Sequence, residues 1–199
     1  MATTKKNTGS LYCLRIELEG VTPLIWRKFW VEGDTTLIQL HHTIQAVMGW
    51  TDSHLHEYQI GGARYRTPHR DDDIDGDDAI DDRTVPLHKV LKGISHFGYQ
   101  YDFGDAWNHT ITVEKTEPMP KRPRGCAFIE EGERACPPED AGGPFQYQEF
   151  LDQLAKNPQH KEVRAFLRWA GEDFDPNQFD RHAANAALLR MAWNQWGKA

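Results

Sequence analysis

The chain has 199 residues, of which 39% are hydrophobic and 11% aromatic, with seven Trp. This composition excludes an intrinsically disordered chain, and the length suits one domain with a sizeable core rather than two. The formal charge of -7 would disfavour a polyanionic partner, but "DDDIDGDDAIDD" (Asp71 to Asp82) holds eight aspartates and no base, and without them the charge rises to +1, so global charge decides little about partners.

No segment approaches the roughly 18 apolar residues of a membrane span. The start "MATTKKNTGS" lacks the apolar centre of a signal peptide. The expected location is therefore the cytoplasm, with no membrane partner. Cys13, Cys126 and Cys136 form no CxxC pair and suit a reducing compartment. A contact between Cys126 and Cys136 across their loop stays open.

Residues 1–10 predict a flexible tail. "LYCLRIELEG" alternates, with Tyr12, Leu14, Ile16 and Leu18 on one face, and "LIWRKFWVEG" follows a turn at Pro23, so the two predict a β-hairpin. "TTLIQLHHTIQAVMGW" changes period. Leu37, Leu40, Ile44, Val47 and Met48 fall on one helical face, Thr36 with Gln39 makes a capping box, and Gly49 stops the helix.

"HLHEYQIGG" alternates again, with His54, His56, Tyr58 and Ile60 on one side, and "ARYR" predicts a short return strand. "VPLHKVL" is a helical turn or two, and "HFGYQYDFGDAWNHTITVEKT" a second hairpin. Pro118 to Pro144, with six prolines and four glycines, predicts a long irregular loop. Three helices follow, in "PFQYQEFLDQLAK", "HKEVRAFLRWAG" and "DPNQFDRHAANAALLRMAWNQWGK". The last is predicted to begin with Asp175 as N-cap, Pro176 at its first position and Gln178 completing a capping box.

This order predicts an α+β fold. A mixed β-sheet forms from two hairpins plus a strand, with one helix across a face in a β-grasp-like order and a C-terminal helical segment. The single domain covers 11–199, divided into a sheet-plus-helix core (11–116), the long loop (117–143) and the helical part (144–199).

The chemistry concentrates in "YDFGDAWNH" (Tyr101 to His109). A loop over Gly104 to Trp107 would pair Phe103 with Asn108 and set Asp102 opposite His109, about 5 Å apart at Cβ. They would lie on the face away from Phe97, Tyr99, Tyr101 and Phe103, with Asp105 at the tip. Such a carboxylate–imidazole pair is either a pair of metal ligands or an oriented general base. It is equally the hydrogen bonding of a tight turn whose Gly104 supplies an unusual dihedral.

His54 and His56, two apart on a strand, point the same way and could chelate one metal, or be half-buried structural histidines. In "CPPEDAGG" two prolines stiffen the chain before Glu139 and Asp140. These carboxylates could fold over the hairpin as catalytic groups or cap the helix at Pro144. Asp71, Asp73, Asp75, Gly76, Asp77 and Asp82 match positions of a calcium loop, but Asp78 stands where an apolar residue packs and no helix precedes it, so weak calcium binding competes with a solvated acidic loop. "KRPR" (Lys121 to Arg124) is too short for a nucleic-acid footprint.

The chain resembles the plasmid pRiA open-reading-frame-three-like family, also labelled TnpR-type passenger proteins of insertion elements. The likeness is carried by "IWRKFWV", "TLIQLHHTIQAVMGW" followed by "HLHEY", "YDFGDAWNHTITVEK", "GERACPPEDAGGP" with "YQEFL", and "WAGEDFDPNQFD". Members often carry a cysteine after "PPED", where this chain has Ala141. The resemblance implies an α+β fold and supplies no activity, and nothing here matches a serine or tyrosine recombinase site.

Three functions are carried forward. The first is a small binding module whose groove, edged by Trp26, Arg27, Trp50, Tyr101, Trp107 and Cys136, takes an unknown protein or small-molecule ligand. The second is a divalent-metal-dependent hydrolase, directed at phosphodiesters among other substrates. It would hold zinc, manganese or iron on His54, His56, Asp102, Asp105 and His109, with Glu139 or Asp140 as base. The third, mobile-element DNA binding, leans on the family label and is the least supported by charge.

Overall fold

The computed structural model describes residues 9–68, 78–120, 127–171 and 173–195. Its strands are β1 (Ser10–Leu18), β2 (Trp26–Glu32), β3 (His56–Ile60), β4 (Ala63–Arg66), β5 (Ile80–Asp81), β6 (His96–Tyr101), β7 (Trp107–Pro118) and β8 (Phe128–Glu133). Its helices are α1 (Leu37–Met48), a 3-10 turn (Asp82–Thr84), α2 (Leu87–Val90), α3 (Gly143–Lys156), α4 (Lys161–Ala170) and α5 (Arg181–Trp193). The strands join one mixed sheet in the order β5-β4-β3-β6-β7-β1-β2-β8. Among them β4 and β5 run parallel and the other neighbours antiparallel, an α+β architecture.

Alternation along each strand sends successive side chains to opposite faces. The register lines up Tyr58, Tyr99, His109 and Leu18 across β3, β6, β7 and β1. His56, Tyr101 and Trp107 form the row on one side of it, and Phe97, Ile111 and Ile16 the row on the other. This face is buried, and α1 lies over it through Leu37, Leu40, Ile44, Val47 and Met48. Each large side chain so buried contributes about 1.5–3 kcal/mol.

Helix α1 starts where the sequence says. The Thr36 hydroxyl accepts from Gln39 N while the Gln39 side chain accepts from Thr36 N, and Gly49 ends the helix at φ 97°. The Tyr58 hydroxyl donates to Leu37 O at 3.1 Å, tying the helix start to the sheet. At the other end Arg27 of β2, 1% exposed, donates to Val47 O, Trp26 O, Glu133 O and Arg134 O at 2.9, 2.8, 2.8 and 2.7 Å. Burial pulls this guanidinium down to about 10, still a cation at neutral pH. It serves as an internal strut, under the Phe179 ring at 3.8 Å.

The structure differs from the sequence reading in three elements. β3 begins at His56, which leaves His54 in the preceding loop. The stretch predicted as wholly irregular contains β8, paired to β2. Asn185 of α5 covers the outer edge of β8, its side chain accepting from Ile129 N at 2.9 Å and donating to Ile129 O at 3.2 Å, so an amide takes the place of a further strand. The last helix starts at Arg181 and is capped by Asp180, which accepts from His182 N and Ala183 N. Asp175 instead closes a turn by accepting from Asn177 N, and Pro176 O accepts from Ala135 N. No helix among the described residues is long and apolar enough to cross a membrane.

Candidate functional site

The second hairpin turns through residues 102–106, because Tyr101 pairs with Trp107. Its unusual dihedrals belong to Asp102 and Ala106, both at φ 55°, rather than to Gly104. His109 is therefore opposite Tyr99, on the aromatic inner face, and not opposite Asp102. It is fully buried. Nδ1 donates to Tyr99 O at 3.3 Å, and burial pulls the imidazole down to about 3, so it is neutral.

Asp102 divides its carboxylate between two tasks. Oδ1 accepts from Gly104 N at 2.9 Å and Asp105 N at 3.3 Å and so builds the turn. Oδ2 faces away from the turn, 3.6 Å from His54 Nε2. The main chain of Asp102 donates to Leu55 O at 2.9 Å, which fixes the 52–55 loop against the hairpin.

The proline-stiffened loop lands on the same spot. Asp105 Oδ2 accepts from Gly142 N at 2.9 Å. Gly143, at φ 81°, passes so close that a Cβ there would be 2.5 Å from Asp105 O. Trp50 Nε1 donates to Pro137 O at 3.0 Å from below. Glu139 accepts from Thr51 N at 2.8 Å and from the Tyr101 hydroxyl at 3.0 Å.

As a result His54, Asp102, Glu139 and Asp140 meet. His54 Nε2 is 3.2 Å from Asp140 Oδ1, 3.6 Å from Asp102 Oδ2 and 3.8 Å from Glu139 Oε2. Yet this nitrogen is shielded from water and makes no hydrogen bond among the described residues. His54, Asp102 and Asp140 each offer an atom within 4.8 Å of the others. Donors about 2.0–2.2 Å from a shared cation stand roughly 3–3.5 Å apart, so an imidazole nitrogen and two carboxylate oxygens here suit zinc, manganese or iron.

A second group was not anticipated. Asp52, at φ 60°, presents one oxygen to each of two adjacent histidines of α1. Oδ1 is 2.6 Å from His41 Nε2, and Oδ2 is 3.2 Å from His42 Nδ1. A carboxylate only accepts, so His41 donates from Nε2 and its Nδ1 accepts from the Tyr99 hydroxyl at 2.8 Å. Burial pulls His41 down to about 4. Burial also acts to raise the Asp52 carboxyl, but the bonds from His41 and His42 outweigh it and hold it well below the usual range. The signal for this group was present in "LHHTIQ" and "WTDSH", but only the helix-to-loop geometry reveals it.

The remaining sequence candidates take other places. His56 does not join His54. Its Nε2 donates to Asp82 Oδ2 at 2.8 Å, and its ring stacks on His41 with centroids 3.6 Å apart. Trp26 lies on the opposite sheet face from Arg27, under the Arg15 guanidinium at 3.8 Å. Trp50, Trp107 and Cys136 are core, and Tyr101, itself buried, reaches the site with its hydroxyl on Glu139 and its ring against His54. A groove edged by all six residues therefore does not form. Asp82 is fully buried and also accepts from Thr67 Oγ1; Asp71, Asp73, Asp75 and Asp77, like Lys121 to Arg124 and Cys126, lie outside the described residues.

What does form is an open cleft of about 490 Å³ lined by Asp52, Ser53, His54, Leu55, Asp102, Phe103 and Gly104. Leu55 and Phe103 are 49% and 40% exposed and give it apolar lips.

Known proteins share both chain and fold. Uncharacterized protein y4hQ of Sinorhizobium fredii (strain NBRC 101917 / NGR234) is 37% identical over 186 residues, 92% of this chain and 91% of the relative. The crystal structure of a protein of unknown function, MM3350 from Methanosarcina mazei Go1, matches with a TM-score of 0.76 at 32% identity, over 87% of this chain and 96% of that one. The description "Plasmid pRiA4b ORF-3-like protein" matches residues 10–183, which include β1 to β8 and the cleft. The chain belongs to the plasmid pRiA4b ORF-3-like protein family.

Proposed function

We propose that this protein is a cation-dependent binding module, which holds a divalent metal ion on His54, Asp102 and Asp140 and uses its open coordination positions to take a ligand into the cleft. The observation that carries this reading is His54 Nε2, shielded from water, aimed at three carboxylates and hydrogen-bonded to none of them. Three protein ligands leave room for solvent or a ligand group on the ion. Asp140 is 72% exposed, which puts those positions on the open side. Leu55 and Phe103 would contact the apolar part of the ligand.

Glu139 is spent on Thr51 and Tyr101. It positions the loop, and no general base is assigned, so the reading is binding rather than hydrolysis. Cys13 and Cys136, both buried and free, support a reducing, cytoplasmic location.

A manganese titration followed by the loss of the free-ion paramagnetic signal tests the reading. The wild-type protein is expected to take up manganese, and Asp102→Asn and Asp140→Asn to weaken uptake at this site by at least about tenfold. Asparagine keeps an acceptor for the 102 turn and tolerates the left-handed backbone of both positions, so melting should change little. No uptake by the wild type, or equal uptake by both variants, would sink it.

A further inference from the structure

We infer that a second, independent divalent-cation site, made by His41, His42 and Asp52, adjoins the cleft through Asp52. The inference rests on the reading of the cleft as cation-binding. Asp52 lines the same cleft as His54 and Asp102, and its two oxygens already draw the two imidazoles together: donor atoms of all three residues lie within 4.8 Å of one another. The chemistry is that of a borderline cation, two imidazole nitrogens and one carboxylate.

The buried ligand is held in advance. The His41 ring is stacked on His56 at 3.6 Å and 9°. His56 is anchored by Asp82, which is fully buried and also bonded by Thr67. The Tyr99 hydroxyl, which accepts from Gln45 Nε2 at 3.3 Å, fixes His41 Nδ1. Metal-ligating histidines commonly donate from their second nitrogen to a fixed oxygen partner, the place that the Tyr99 hydroxyl holds here. Only Nε2 is left to face Asp52. When a cation replaces the proton on Nε2, that proton moves to Nδ1, which then donates to the Tyr99 oxygen, and the Tyr99 hydroxyl hydrogen turns away from His41.

Exposure rises from His41 at 1% through His42 at 20% to Asp52 at 40%, so a cation enters from the Asp52 side and keeps water on its open positions. The two sites share no ligand. The Tyr101 ring packs near a histidine of each, 6.2 Å from His41 and 5.9 Å from His54.

Calorimetric titration of chelator-treated, tag-free protein with zinc chloride tests both sites at once. The wild type is expected to bind two equivalents, His42→Ala one, Asp102→Asn one, and the double variant none. His42→Ala keeps helix propensity on α1, and circular dichroism confirms the fold of each variant. One equivalent in the wild type, lost in Asp102→Asn and unchanged in His42→Ala, overturns the second site and leaves the first. No binding by the wild type overturns both.

Discussion

At the scale of the residue, "YDFGDAWNH" is turn architecture and a ligand set at once, because the two oxygens of Asp102 do different work. Asp52 of the second group and Asp102 and Asp140 of the first all sit in the left-handed region, at φ 60°, 55° and 57°. Aspartate enters this region more readily than most residues, and backbone strain tends to collect at functional sites. His109 illustrates the opposite case, a histidine that is core. Its folded pKa, about 3, lies below the ordinary 6.5, so the unfolded chain binds the extra proton. Stability from this group is full above pH 6.5 and is lost as pH falls below it, by up to about 1.4 kcal/mol per pH unit. His109→Phe should flatten the fall in stability between pH 6 and 4 in denaturant titrations; an unchanged slope would place the proton elsewhere. The sequence reading makes His109 a candidate metal ligand on the face away from the aromatics, and the structure sets it on the aromatic face. Its partner is Tyr99 instead of Asp102, an odd shift of three residues, and an odd shift reverses every side chain. Turn length, set by the left-handed Asp102 and Ala106, was the missing information.

At the scale of the element, local chemistry was readable and long-range contact was not. The Thr36–Gln39 box and Gly49 mark α1 in the sequence because capping is complete within a few residues. The sequence places the last N-cap at Asp175, but Ala135 N bonds Pro176 O and Asp175 accepts from Asn177 N, which holds 175–177 in a turn and leaves the cap to Asp180. β8 exists because β2 and Asn185 satisfy its two edges, and neither lies nearby in sequence. The loop before α3 shows how such contact builds a site. Gly143 combines φ 81° with a close approach to Asp105 O, so a methyl group there must push the loop off the hairpin. Gly143→Ala is expected to destabilise by more than about 1 kcal/mol and to weaken manganese uptake, since Asp140 moves with the loop. A variant as stable and as manganese-competent as wild type would show that the loop and hairpin are not coupled.

At the scale of the whole molecule, the eight-stranded sheet with α1 across one face brings three distant stretches together at the mouth of the second hairpin. His54 comes from the loop before β3, Asp102 from the turn after β6, and Asp140 from the loop before α3. The α+β class was legible from element order. The order β5-β4-β3-β6-β7-β1-β2-β8 was not, and with it went the knowledge of which polar clusters meet. His56, two residues from His54, is carried into the core by the first pair of β3 with β6. Asp140, 38 residues from Asp102 in the chain, is carried to it by Asp105 and Gly142. The most direct measurement of the central claim is elemental analysis of protein purified without tag or chelator, with melting curves before and after EDTA. The account predicts bound zinc, manganese or iron near stoichiometry and a melting temperature that falls when the ion is removed. A metal-free protein whose melting EDTA does not alter, and which no added cation stabilises, would contradict it.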